Sequence, residues 1–261
     1  MSSPDYQFNY TESEVAKQHM YDKQERVVKA DKILRVLQDY LGDLSMLNVL
    51  EMSCSAGLMT EVFSEAFDKI TAIDIDAAAI EYANNKNTQK NVKFIKVDAL
   101  NTYFSNGVYD VIICNQMYEH VPSAEKLMNE IFRLLVPGGV CYFSATNRLK
   151  VIETHYGRIP FLSYLPKKAA HLYLRILGKG RYYYETHYTY WGLKTLVKKF
   201  VLVDYTSNIV RNPKKYNAMD VVKPDSIQQR LTLIFLRMAY VLCPGYIWLL
   251  KKPGGIDAAK R

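Results

Sequence analysis

Short apolar runs alternate with stretches of helical periodicity through the first part of the chain, at residues 47–52, 69–74, 92–97, 109–115 and 140–144. A brief apolar run bounded by small or polar residues reads as a buried strand, and such runs without polar alternation suit strands covered on both faces. Between them, the spacing predicts helices over 57–67, 76–86 and 123–135, the last opened by Pro122 and Ser123 and ended by Pro137-Gly-Gly. Residues 11–41 carry apolar positions Val27, Ala30, Ile33, Leu34, Leu37 and Leu41 on one stripe, as an outer helix laid on a sheet would. Beyond 146 the pattern changes. Residues 147–187 are too long for an ordinary strand-to-helix connection. A helix at 190–200, a strand at 200–208, an apolar helix at 225–242 and a strand at 245–250 follow. Alternating strands and helices imply a parallel sheet with right-handed crossovers and a ligand beyond its carboxyl ends.

Those carboxyl ends carry chemistry. The first strand runs Leu-Glu51-Met into a turn of very small residues, Ser53-Cys-Ser55-Ala-Gly57; the second ends at Asp74, about 20 residues beyond that turn, the distance at which a βαβ unit presents a carboxylate to a ribose. The third ends in Asp98-Ala99, suited to a flat heterocycle, and the fourth in Asn115. Carboxylates at the ends of successive buried strands need partners there, because Asp and Glu are seldom buried alone.

With Ala-Ile-Asp74, Val-Asp98-Ala, Glu119-His120-Val-Pro122 and Leu-Val-Pro137-Gly-Gly in this order, the chain from about 47 to 147 resembles the class I S-adenosylmethionine-dependent methyltransferases, in the branch of ubiquinone and menaquinone biosynthesis and small-molecule O-methyltransferases. The resemblance implies a Rossmann-like α/β fold: a mostly parallel seven-stranded sheet with an antiparallel final strand and a helical cap insertion. It also implies S-adenosylmethionine as cofactor, with Glu51, Ser53, Ser55 and Gly57 around its methionine part. Asp74 would take both ribose hydroxyls, Ile75 and Ala99 would flank adenine, Asp98 would accept from the exocyclic amine, and Asn115 would lie near the sulfonium. One departure stands out: the family usually has glycine where this chain has Ser53 and Ser55, a change costing about 1 kcal/mol of turn strain if the backbone is left-handed there.

Methyl transfer to a hydroxyl needs positioning and a general base. His120, after the fourth strand, has the pKa class for that role, or for pinning its loop. The segment 147–188 is rich in aromatics and bases, and His155, Tyr156, Tyr184 and His187, with Tyr118 from the core, are its candidate acceptor contacts. His155 and His187 are alternative bases. No ligand spacing along the chain suggests a metal.

A net charge of +8, with the basic residues concentrated after Arg148, points to an anionic partner: an acidic substrate, an anionic membrane surface met peripherally, or, as a lesser expectation, nucleic acid. The stretch 231–250 is apolar, but Arg237 and Pro244-Gly245 interrupt it. A helix lying on a surface or packed in the core is expected there rather than a span. Four cysteines without CxxC spacing and an N-terminus without a basic-then-apolar pattern suit reduced thiols in a cytoplasmic protein. The expected plan is one domain: an N-terminal helical lid (1–45) with residues 6–10 folding over the cofactor, a cofactor core (46–146), a substrate cap (147–188), and C-terminal helices with a strand pair (189–253). The expected function is methyl transfer to a small-molecule or lipid-linked acceptor at oxygen. Nucleic-acid or protein N-methylation and non-catalytic cofactor binding are the alternatives.

Overall fold

The computed structural model describes residues 22–254. The expected fold over 6–10 lies outside the described residues. Seven strands form one sheet in the order β3-β2-β1-β4-β5-β9-β8: β1 Asn48–Met52, β2 Lys69–Asp74, β3 Val92–Lys96, β4 Tyr109–Asn115, β5 Leu135–Thr146, β8 Val201–Asp204 and β9 Gly245–Lys251. β9 lies antiparallel between β5 and β8, and the pairs among β1 to β5 are parallel. This is the seven-stranded, mostly parallel sheet anticipated from the sequence.

Helices cover both faces. α1 (Lys23–Leu41) starts where the Asp22 carboxylate accepts from Glu25 N, and Gly42, at φ +79°, ends it. Its Ala30, Ile33, Val36 and Leu37 are buried with Val49, Ile70, Val111 and Leu249 from one face of the sheet. Val27, expected on the buried stripe, is 37% exposed at the edge of this contact. The opposite face packs Leu50, Met52, Ile112, Phe143 and Trp248 against Leu127 and Ile131 of α4 (Ala124–Leu134). Neighbouring residues of a strand divide between the two cores because side chains alternate across a sheet.

Between β1 and β4 come α2 (Leu58–Phe63) and α3 (Ala77–Lys86), the latter capped by Asp76, whose carboxylate accepts from Ala78 N and Ala79 N. The Pro137-Gly-Gly stop is a correction in detail. α4 ends at Leu134, and these residues lie inside β5, which starts at Leu135 with a register shift against β4. Gly139 is needed there, since a Cβ would sit 3.0 Å from the carbonyl oxygens of Asp110 and Val136.

The insertion after β5 has structure of its own. A two-stranded ribbon, β6 (Ile152–Glu153) with β7 (Ile159–Pro160), precedes α5 (Lys167–Ile176), and Ile159, Leu162, Ala170, Leu174 and Tyr183 form a separate small core. α6 (Tyr190–Leu196) returns the chain to the sheet, and α7 (Thr206–Arg211) replaces the last residues of the strand expected over 200–208.

α8 (Ile227–Ala239) takes the surface placement of the two that its sequence left open. Only Leu236 is buried, while Ile227, Leu231, Ile234 and Met238 are 54–82% exposed, at spacings of four, three and four that keep them on one outward face. Arg230 and Arg237 are exposed beside them, and the helix contains no acidic residue. No helix among the described residues is long and apolar enough to cross a membrane.

Candidate active site

The turn after β1 is wound left-handed at three alternate positions, Ser53 (φ 63°), Ser55 (φ 52°) and Gly57 (φ 78°). Only the last is a glycine. Its freedom is needed twice over, because a Cβ at Gly57 would also lie 2.7 Å from the Phe94 ring. The turn is held from β2: Asp74 Oδ2 accepts from Ser55 N at 2.8 Å, and Oδ1 accepts from Asp76 N at 2.9 Å. Each Asp74 oxygen keeps a further lone pair, so the carboxylate can still take two hydroxyls.

Glu51 is buried at the end of β1. Its Oε2 accepts from Thr60 Oγ1 at 2.6 Å, whereas Oε1 has no hydrogen-bond partner. Burial pushes its carboxyl up to about 7, against the opposing pull of the Thr60 bond and the Arg26 charge. The Ser55 hydroxyl is likewise buried without a partner. Two orphaned polar atoms, one at the end of β1 and one on the left-handed turn after it, are costly in a closed core and sensible around a ligand that carries a donor. The residues therefore fit the nucleoside cofactor that the sequence implied: the turn, Glu51 and Asp74 would hold its amino-acid and ribose parts.

The remaining cofactor candidates lie along the same sheet edge. Asp98 is exposed, with Oδ1 accepting from Leu100 N, and Ala99 is buried behind it. Ile75 is half-buried. Asn115 Oδ1 accepts from Ser144 Oγ at 2.7 Å, tying the ends of β4 and β5.

Three histidines from distant parts of the chain meet beside those ends. The His120 and His155 ring centroids are 4.9 Å apart and the His155 and His187 rings 6.2 Å apart. At the centre is Glu153, wholly buried. Its Oε1 accepts from Lys150 Nζ at 2.9 Å and lies 2.6 Å from His155 Nδ1; its Oε2 accepts from the Tyr183 hydroxyl at 2.8 Å and lies 3.1 Å from His187 Nε2. Burial alone would raise this carboxyl, but the hydrogen bonds from the two histidines and the charges of His155 and Lys150 outweigh it and hold the group far below the usual carboxylate range.

The three rings differ in consequence. His155 is desolvated, yet its bond to Glu153 and the charges of Glu185 and Glu153 raise its pKa. Burial and the neighbouring histidine charges hold His120 well below the ordinary value, and its Nδ1 lies 3.7 Å from Glu185 Oε1. Burial lowers His187 to about 4; its Nδ1 is 2.9 Å from Thr146 Oγ1, which donates to Glu119 Oε1. Glu119 and Glu185 are both buried, are both raised by desolvation, and each keeps one oxygen without a partner.

Tyr118 supports this edge from beneath. It is 1% exposed, its hydroxyl donates to the Thr146 carbonyl, and the hydroxyl oxygen accepts from Tyr188 N. Tyr156 and Tyr184 are half-buried in the cap, with Tyr184 N donating to the Tyr156 hydroxyl at 3.1 Å.

Sequence spacing hid a set of metal-type ligands that folding assembles. Glu119–His120–His155 and Glu153–His155–His187 each bring ligand atoms within 4.8 Å of one another. At Glu153 the Lys150 ammonium already supplies a cation, so the second group is a hydrogen-bonded carboxylate cluster as it stands. Glu153, Lys150, Tyr183 and Glu185 are site residues that the sequence did not single out. Their one signal is a repeated Glu-x-His, at 153–155 and 185–187.

The two serines yield a first expected result. Ser55→Gly relieves left-handed strain but adds backbone entropy to the unfolded chain, so stability should stay within ~1 kcal/mol. Losing the orphaned hydroxyl should weaken S-adenosylmethionine binding by about 3- to 10-fold in calorimetry. Unchanged or tighter binding would show that the hydroxyl is no ligand.

Comparison with known proteins bears on the domain and the fold. Residues 50–143 match the family described as "Methyltransferase domain". A ubiquinone biosynthesis O-methyltransferase of Psychrobacter arcticus is 35% identical over 106 residues, 38% of this chain and 41% of the relative. One from Rickettsia canadensis is 26% identical over 163 residues, 60% and 67% of the two chains. The chain thus spans about two fifths of the length of the Psychrobacter relative in that match. Among solved structures, the plantazolicin methyltransferase BpumL, in complex with a pentazolic desmethylPZN analog and SAH, superposes with a TM-score of 0.58 over 94% of this chain and 93% of its own, at 20% identity. The N-methyltransferase NodS from Bradyrhizobium japonicum gives a TM-score of 0.51 over 86% of each chain, at 14% identity. By its matched domain and its strand order, the chain carries a methyltransferase domain over residues 50–143 and is similar to the class I S-adenosylmethionine-dependent methyltransferases.

Proposed function

We propose that this protein transfers a methyl group from S-adenosylmethionine to a hydroxyl oxygen of a small-molecule, lipid-linked acceptor. The observation that carries the reading is a juxtaposition at one sheet edge. The end of β1 and the turn after it carry unsatisfied polar atoms, Glu51 Oε1 and the Ser55 hydroxyl, and a buried cluster of imidazoles and carboxylates under an aromatic cap adjoins the ends of β4 and β5. The name shared by the sequence relatives supports oxygen as the acceptor atom.

When bound, the cofactor supplies an electrophilic methyl group on a sulfonium. The chain supplies everything else. Glu51 pairs with the cofactor's ammonium, Asp74 takes its ribose hydroxyls, Asp98 accepts from the adenine amine, and Ile75 and Ala99 flank the ring. Asn115 borders the reacting centre. His120, kept neutral by burial and by neighbouring positive charge, orients the acceptor through a ring nitrogen rather than by charge. Tyr156 and Tyr184 line the acceptor's path, and Tyr118 and His187 brace the residues that touch it.

The outward face of α8 supports a lipid-linked acceptor. An apolar stripe flanked by Arg230 and Arg237 is the composition of a helix that settles into an anionic membrane surface. A symmetric pairing of two copies through this helix would offer its arginines no acidic partner on the same helix.

The test measures radiolabelled methyl transfer from S-adenosylmethionine into lipid and quinone extracts, into the same extracts with hydroxyls acetylated, and into RNA. Label in the untreated lipid extract alone supports the reading. Label in RNA, or cofactor binding without transfer anywhere, overturns it. In parallel, cosedimentation should favour phosphatidylglycerol vesicles over phosphatidylcholine vesicles, and Leu231→Asp with Met238→Asp should abolish the difference. Equal partitioning of the wild type would remove the membrane.

A further inference from the structure

We infer that His155, held by Glu153, is the general base that removes the acceptor's hydroxyl proton; the inference rests on the hydroxyl-methylation reading above. The geometry comes first. The 2.6 Å contact between His155 Nδ1 and Glu153 Oε1 puts the ring proton on Nδ1, because an ionised carboxylate only accepts. Nε2 is then the basic nitrogen of the neutral ring, in the arrangement by which a buried carboxylate orients a catalytic imidazole.

Glu153 is well built for that task. It is wholly buried, and Lys150, Tyr183 and His187 hold it from three sides, so it cannot turn away from His155. The His155 side chain is 27% exposed, against 1% for His187, so of these two rings on Glu153 only His155 opens to an acceptor. A ligand-type atom of His155 also lies within 4.8 Å of one from each of Glu119 and His120, which follow β4, so the cap's base reaches the core's sheet edge.

The step balances. The acceptor O–H bond breaks and its proton goes to His155 Nε2; the oxygen's electron pair forms the new bond to the methyl carbon; the carbon–sulfur bond breaks with its electron pair left on sulfur. Positive charge passes from the sulfonium to the imidazolium, where Glu153 stabilises it. Glu119 and His120 beside β4, Lys150 and Glu153 at the start of the cap, and Glu185 and His187 at its end face the ring and set its affinity for the proton.

The test uses the full chain and two variants, with the hydroxyl-bearing lipid extract as methyl acceptor. His155→Gln, at the more open position, should keep S-adenosylmethionine affinity within about twofold and cut the single-turnover rate by ~100-fold or more. Glu153→Gln should lower the rate and move the acid limb of its pH profile to lower pH, because the ring loses the charge that raises its pKa. A readout free of activity is nitrogen-15 histidine NMR of the protein without cofactor. There His155 should show the Nδ1–H tautomer in the wild type and titrate at lower pH in Glu153→Gln, a folded variant being verified by its retained cofactor affinity. Near-normal turnover of His155→Gln, an unmoved acid limb, or a rate abolished by a chelator and restored by a divalent metal would each overturn the dyad while leaving methyl transfer standing. A wild type that binds cofactor and labels no hydroxyl overturns the hydroxyl reading and the dyad with it.

Discussion

Glu51→Gln is expected to make the protein more stable at pH 8 and poorer at holding its cofactor. In the folded chain the Glu51 carboxyl is pushed up to about 7 by burial, against 4.5 for the free group. A raised pKa means that the folded state retains a proton which the unfolded state gives up. The stability tied to this group is therefore fully present below about pH 4.5 and is lost as pH rises to about 7, by about 3 kcal/mol. Glutamine carries no charge to desolvate. It keeps an acceptor for Thr60 and leaves an amide donor to satisfy, so the net gain at pH 8 should be about 2 kcal/mol, or ~4–8 °C in thermal midpoint for a chain of this size. At pH 4 the advantage should vanish. Melting curves at the two pH values decide this. Calorimetry with S-adenosylmethionine should show binding weakened by about 10-fold or more, since the ammonium loses an ionised partner. A variant less stable at pH 8 than the wild type would show that Glu51 is compensated in the folded protein without ligand.

Asp74→Ala should weaken S-adenosylmethionine binding by one to two decades, the consequence of losing roughly 1.5 to 3 kcal/mol of hydrogen bonding to a charged group. The side chain has a second task, because its two oxygens hold Ser55 N and Asp76 N and so fix both the β1 turn and the entry to α3. Asp74→Asn separates the tasks. Its amide oxygen can still take one backbone donor, whereas its amide nitrogen cannot accept a ribose hydroxyl. Affinity that falls in both variants, while thermal stability falls chiefly in the alanine variant, supports the ribose assignment. Unchanged affinity in calorimetry would remove Asp74 from the cofactor site.

The division between what the sequence disclosed and what folding added follows from the range of the forces involved. Strand and helix periodicity is local. The run Lys69-Ile-Thr-Ala-Ile-Asp74 declares a strand buried on both faces wherever it sits, and the parallel order then places Asp74, Asp98 and Asn115 at one edge. The left-handed turn was legible from Gly57 and from the small residues before it, and the structure gives Ser53 and Ser55 the conformation that their departure from glycine brought into question.

Through-space chemistry was not legible. Lys150, Glu153 and His155 lie about thirty residues along the chain from Tyr183, Glu185 and His187, and no periodicity records that a cap will fold two Glu-x-His segments against each other. What a buried carboxylate does depends on which donors reach it in a place without water. Glu51 rises to about 7 with one hydroxyl on it, whereas Glu153, with an ammonium, a phenol and two imidazoles around it, stays ionised. The outward stripe of α8 has the same origin: its apolar spacing fits core and surface equally, and only the packing of Leu236 inward decided which way Leu231 and Met238 would face. The sequence by itself determined the sheet, its acidic edge and the cofactor class. Tertiary structure alone decided the charge states, the cluster around Glu153 and the exposed face of α8, because desolvation and pairing are properties of neighbours in space and not of neighbours in the chain.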